Sequence, residues 1–122
     1  MARNASHLEK KGVNTVLKFI VVLCKRPELS AEAFRKYLLD IHAPMAVKLP
    51  GLKRCVYDLV ATDPKRKHPG WHAIAELYFD DWSSMEAAWA SPEGEVATKD
   101  LESFADLSRT TWSVTEERIL KA

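Results

Sequence analysis

An α+β fold, in which one antiparallel sheet carries two helical segments, is predicted by three features of this 122-residue sequence. Runs rich in β-branched and aromatic residues alternate with amphipathic stretches in the order strand, helix, strand, strand, helix, strand. The first strand is apolar on both alternating faces apart from Lys18, which requires cover above and below. Each helical segment shows a single apolar stripe, so both pack on one face of the sheet and leave the other face to something else.

Composition narrows the function classes. A chain of this length builds one core, so every motif belongs to one site or to none. The formal net charge of +1 supplies no global attraction to nucleic acid or to an anionic membrane. Cys24 and Cys55 lie in apolar strand-like runs without metal-ligand spacing, which fits a reducing cytoplasm. No run approaches the ~20 apolar residues of a membrane span, so a soluble protein is expected. Residues 1–15 lack the apolar block of a secretory signal and read as a mobile extension, leaving 16–122 as the domain.

Val16 to Cys24 forms the first strand, stopped by Lys25, Arg26 and Pro27. Ser30 is the expected N-cap of the first helix, with Glu32 favourable in its first turn. Phe34, Leu38, Ile41 and Met45 make its predicted core stripe, with His42 on one border and Tyr37 on the other. Pro44 removes a backbone donor and crowds the carbonyl of Asp40, so disturbed backbone is expected beside His42. After Pro50 and Gly51, Leu52 to Thr62 reads as the second strand, in which Cys55, Tyr57 and Leu59 alternate with Arg54, Val56 and Asp58.

The basic stretch 63–70 is either a solvated hairpin connection or an attractor for an anionic group at a pocket mouth. Trp71 to Asp80 is the third strand, with Ala73, Ala75, Leu77 and Phe79 turned to the helices and His72, Ile74, Glu76 and Tyr78 on the other face. Ser83 and Glu86 have capping-box spacing, and Ser91-Pro92-Glu93 restarts the helix after a break. Ala97, Leu101 and Phe104 continue an apolar stripe, and Arg109 to Leu120 reads as the last strand. The physical solution is a ferredoxin-like βαββαβ sandwich: a four-stranded antiparallel sheet with helices on one face. Its open apolar face predicts a homodimer that packs sheet to sheet into an α/β barrel and encloses a cavity between the sheets.

Two residues stand out for chemistry. His42 has an ordinary pKa near ~6.5, so it either moves a proton near neutrality or hydrogen-bonds the disturbed backbone. Glu76, at the centre of the third strand, either has its pKa raised by desolvation and serves as acid or base, or forms an ion pair or hydrogen bond across the dimer, with Arg54 or Arg109. Tyr37, Tyr57, Trp71, His72, Tyr78 and Trp112 are candidate walls for a hydrophobic small-molecule ligand, with packing in the core as their alternative. There is no glycine-rich phosphate loop, nucleophile elbow or two-histidine zinc spacing, and neither a metal nor a cofactor is expected.

Several stretches together resemble a known family. Lys18-Phe-Ile-Val-Val-Leu, Ile41-His42-Ala43-Pro44, Leu49-Pro50-Gly51-Leu52, Ala75-Glu76-Leu77-Tyr78-Phe79 and Ala90-Ser91-Pro92-Glu93-Gly94 are similar to the EthD-like domain of the dimeric α/β barrel superfamily, over roughly Leu17 to Leu120. The resemblance implies a ferredoxin-like protomer that dimerises through its sheet, and matches His42 to the histidine of the family's His-Ala-Pro stretch. It also implies proton movement without a bound cofactor, as in isomerisation, dehydration or decarboxylation, on a hydrophobic carbonyl, lactone or aromatic compound. His42 would be base or acid and Glu76 its partner. The alternative it leaves is an accessory or ligand-binding protein, or a cofactor-independent oxidoreductase, tied to an oxygenase pathway such as ether degradation.

Overall fold

Strand β1 (Val16–Leu23) runs through the interior of a four-stranded sheet and pairs antiparallel with β3 (Ala73–Phe79) on one side and β4 (Thr111–Glu117) on the other. Strand β2 (Arg54–Leu59) pairs with the far side of β3, giving the order β2-β3-β1-β4. This computed structural model describes residues 16–122, and the extension expected over 1–15 lies outside the described residues. The order is that of the predicted ferredoxin-like α+β sandwich.

The register decides which chemistry lies on which face. Val21 stands opposite Ala75 and Trp112, and Phe19 opposite Leu77 and Val114, on the face covered by helices. Ile20 stands opposite Glu76, and Val22 opposite Ile74, on the other face. Leu23, Phe34, Leu38 and Phe104 form one part of the core, while Leu49, Phe79, Met85 and Ala88 form another.

The helical layer begins with α1 (Ala31–Tyr37), whose N-cap Ser30 accepts from Ala33 N–H at 3.0 Å. A π-helical turn (Leu38–His42) and a short α2 (Ala43–Ala46) follow. The wide turn sits where Pro44 has no N–H to return to Asp40, and the Ala43 N–H reaches back five residues to the carbonyl of Leu38. Its extra residue rotates the stripe. Ile41, expected in the core, is 45% exposed, whereas His42 is 6% exposed, and Ala46 is buried where Met45 was expected.

Helices α3 (Trp82–Ala90) and α4 (Pro92–Asp100) complete the layer, followed by a 3₁₀ turn (Leu101–Ser103). Asp81 caps α3 by accepting from Ser84 N–H at 2.8 Å, so the helix starts before the expected Ser83–Glu86 box. Ser91 ends α3 and caps α4, accepting from Gly94 N–H at 3.0 Å. Gly94 is required there because a Cβ would strike the carbonyl oxygens of Ala88 and Trp89. β4 spans only Thr111–Glu117 of the expected Arg109–Leu120 and stops opposite the first residue of β1, so Ile119 and Leu120 lie beyond the strand and are exposed.

No helix or strand among the described residues covers the sheet face away from the helices. Ile20, Val22, Val56 and Ile74 are half-buried along it. Beside them Lys18 Nζ donates to Glu76 Oε1 at 3.0 Å and to Glu117 Oε2 at 3.2 Å. No helix among the described residues is long and apolar enough to cross a membrane.

Candidate functional site

The rotation of the helical stripe carries His42 inward. Its Nδ1 lies 2.9 Å from Asp100 Oδ2 at the end of α4, and a carboxylate only accepts, so Nδ1 holds the proton and donates it. The other carboxylate oxygen, Oδ1, accepts from the Tyr37 hydroxyl at 2.7 Å. The Phe104 ring packs 4.9 Å from His42 and 5.1 Å from Tyr37, closing the group on its inner side.

His42 also forms part of the wall of a cavity of about 330 Å³ between the sheet and the helices. Phe19, Val21, Tyr57 and Leu77 supply sheet-side wall, Trp89 and Leu101 supply helical wall, and no Lys, Arg, Asp or Glu lines it among the described residues. Burial pushes the His42 pKa below its ordinary value, and the Asp100 hydrogen bond only partly offsets this. The ring is therefore neutral at pH 7, with a proton on Nδ1 and a lone pair on Nε2. That is the form of a general base. Burial also pushes the Tyr57 phenol up, so its O–H remains a donor at neutral pH.

The sequence-predicted residues divide into three places. His42, Tyr57 and Trp112 line the cavity, Trp112 at its rim with 59% exposure. Tyr37 stands behind His42, on Asp100. Glu76 and Tyr78 are on the opposite sheet face, so Glu76 does not share a cavity with His42. The cavity lies beneath the helices, and strand alternation turns Glu76 away from them. The expected rise in the Glu76 pKa is also reversed, because hydrogen bonding with Asp58, and then with Lys18 and Tyr78, outweighs burial. Within the protomer its cationic partner is Lys18.

Trp71 and His72 precede β3 and line none of the cavity. His72 leaves the Glu76 face: its ring lies 5.9 Å from Phe34 of α1, and its Nδ1 accepts from Lys25 N–H at 3.0 Å. Burial, then the charges of Lys25, His68 and Arg109, lower its pKa. Among the described residues no group of three or more His, Cys, Asp and Glu is placed to hold a metal ion.

Asp100 is a candidate site residue that reading the sequence missed, though a signal existed. It lies three residues after Ala97 and four before Phe104, on the apolar stripe of its own segment, where a carboxylate needs a partner.

The two depressed histidines set an acid limit on stability. Both take up protons less readily in the folded chain than in the unfolded one, so their contribution is complete above pH ~6.5 and is lost as pH falls through that value. Asp63, Asp81 and Asp106, with lowered pKa values, act only further down, below about pH 4. Urea midpoints are expected to hold from pH 8 to ~6.5 and then decline toward pH 5. A midpoint that rises over that last interval contradicts the assignment.

With this geometry in view, the family model of the EthD domain matches residues 26–108. The chain belongs to the EthD family. A protein of Rhodococcus erythropolis, described as an uncharacterized 11.0 kDa protein in the thcB-thcC intergenic region, is 32% identical over 91 residues, covering 72% of this chain and 84% of that protein. The EthD family protein BH0200 of Bacillus halodurans C-125 superposes with a TM-score of 0.73 at 28% identity, over 84% of this chain and 98% of that one. Two more distant structures share the fold alone. One is a dimeric protein of unknown function and ferredoxin-like fold from Bacteroides fragilis, with a TM-score of 0.58, 14% identity and coverage of 85% and 96%. The other is SnoaB of Streptomyces nogalater, a cofactor-independent oxygenase, with a TM-score of 0.60, 12% identity and coverage of 88% and 99%.

Proposed function

We propose that this EthD-family protein is a small enzyme that moves a proton on a neutral, hydrophobic carbonyl or lactone compound, with His42 as base. The observation that carries the reading is the His42 ring, held by Asp100 at 2.9 Å, in the wall of a mostly apolar cavity. Asp100 takes the part expected of Glu76. Nε2 takes the α-proton, the C–H electron pair becomes the new C=C bond while the C=O π pair moves to oxygen as an enolate, and the Tyr57 hydroxyl is a donor in the same cavity wall for that oxygen. Return of the proton from His42 at another carbon of a conjugated enolate gives isomerisation, and its transfer to a β-hydroxyl, which leaves as water, gives dehydration.

The test uses the purified chain alone in D2O with a panel of aromatic and alicyclic ketones, β-keto esters and lactones. Proton NMR is expected to show loss of the α-hydrogen signal above the buffer rate for compounds that bind. Binding without exchange across the panel makes the protein a ligand carrier and removes the enzymatic reading.

The open sheet face is the proposed homodimer interface, supported by the half-buried Ile20, Val22, Val56 and Ile74 and by the dimeric ferredoxin-like relative. Sedimentation is expected to show a dimer, with Ile20→Asp shifting it to monomer. A wild-type monomer at 100 µM, taken as roughly the upper range for a weak interface, rejects the assignment.

A further inference from the structure

Tyr37 and His42 are five residues apart. On an unbroken α-helix, at about 100° per residue, their side chains point about 140° apart and do not meet one carboxylate. The π-helical turn between them changes this, because its hydrogen bond spans five residues and its wider turn brings side chains five apart toward the same side. Both then reach Asp100, Tyr37 at Oδ1 and His42 at Oδ2.

An aspartate has little of its own to hold that orientation, since its terminal torsion is broad and the carboxylate turns freely unless a second bond stops it. We infer that Tyr37 is a positioning residue: its hydroxyl fixes the Asp100 carboxylate, which in turn keeps the proton of His42 on Nδ1 and leaves Nε2 as the nitrogen open to the cavity. Tyr37 itself lines none of the cavity, which separates this role from the ligand contact expected of it. The groups facing His42 are Asp100 from α4, the Tyr37 phenol from α1 and the apolar Phe104 ring, so the carboxylate is the charge that selects the tautomer.

The inference rests on His42 as base only for its catalytic consequence, because the test is made on the resting protein without substrate. Long-range proton–nitrogen NMR of the nitrogen-15-labelled chain reads the protonation of each His42 nitrogen. Wild type is expected to show Nδ1 protonated and Nε2 bare. Tyr37→Phe keeps the ring against Phe104 and deletes one hydrogen bond, and the ratio of Nδ1–H to Nε2–H tautomers is expected to fall roughly threefold to tenfold. An unchanged ratio in a folded Tyr37→Phe chain overturns the inference, whatever the exchange assay has shown. A loss of melting temperature alone, without the tautomer change, marks Tyr37 as structural and overturns it too. In the wild-type chain the Tyr37 hydroxyl proton is expected as a slowly exchanging resonance, and its exchange at the rate of a free phenol is a second overturning result that needs no variant.

Discussion

Replacing His42 by glutamine is expected to lower α-proton exchange by about 10²-fold to 10⁴-fold, the range for removal of a positioned base. Glutamine retains a side chain able to hydrogen-bond Asp100, but no atom in it accepts a proton near pH 7. The loss should therefore fall on the chemical step, leaving ligand binding within a few-fold. The wild-type pH profile carries a second signature. Because burial depresses the His42 pKa, the rate should stay level from pH 8 through neutrality and decline only below the ordinary value of ~6.5. A His42→Gln chain that exchanges at the wild-type rate, or a wild-type rate that collapses between pH 8 and 7, removes His42 as the base.

Much of the fold was legible because the strands obey simple alternation. Ala73, Ala75, Leu77 and Phe79 were placed toward the helices by pattern alone, and their burial in the structure follows that pattern. The apolar character of β1 on both faces likewise matched its interior position in the sheet. Helical phase was harder. Periodicity assigned Ile41 to the core and His42 to its border, whereas one wide turn reversed the two. Pro44 marked the disturbance without giving its direction, since a proline leaves several ways to satisfy the freed carbonyl.

The site was half legible for a related reason. His42 could be singled out by local chemistry, but its partner Asp100 lies 58 positions away and meets it only after α4 packs against the helical turn. Glu76 attracted attention as a carboxylate in a strand. The same alternation that identified it also turned it away from the helices, and pairing it with His42 required a cavity between two sheets. The protomer instead keeps its cavity beneath the helical layer, where small residues such as Ala46, Ala75 and Ala97 leave room.

Phe104→Ala is expected to cost about 3–5 kcal/mol, the range for removing a fully buried aromatic ring. Phe104 is 0% exposed and packs against Phe34 at 5.6 Å, stacks on Tyr37 at 5.1 Å and tilts against His42 at 4.9 Å. For a domain of this size, at about 4 °C per kcal/mol, the melting temperature should drop by roughly 12–20 °C. Phe104→Leu, which refills most of the volume and loses the ring contacts, should recover more than half of that. The ring also joins stability to chemistry, because it fills the space on the inner side of the Tyr37, Asp100 and His42 group. A cavity there lets His42 tilt away from Asp100, so exchange activity at a temperature where Phe104→Ala remains folded should fall about tenfold or more, a small misplacement sufficing to cost that much. A melting temperature within 4 °C of wild type shows that the site relaxes around the void, and in that case the ring is not what holds His42 in place.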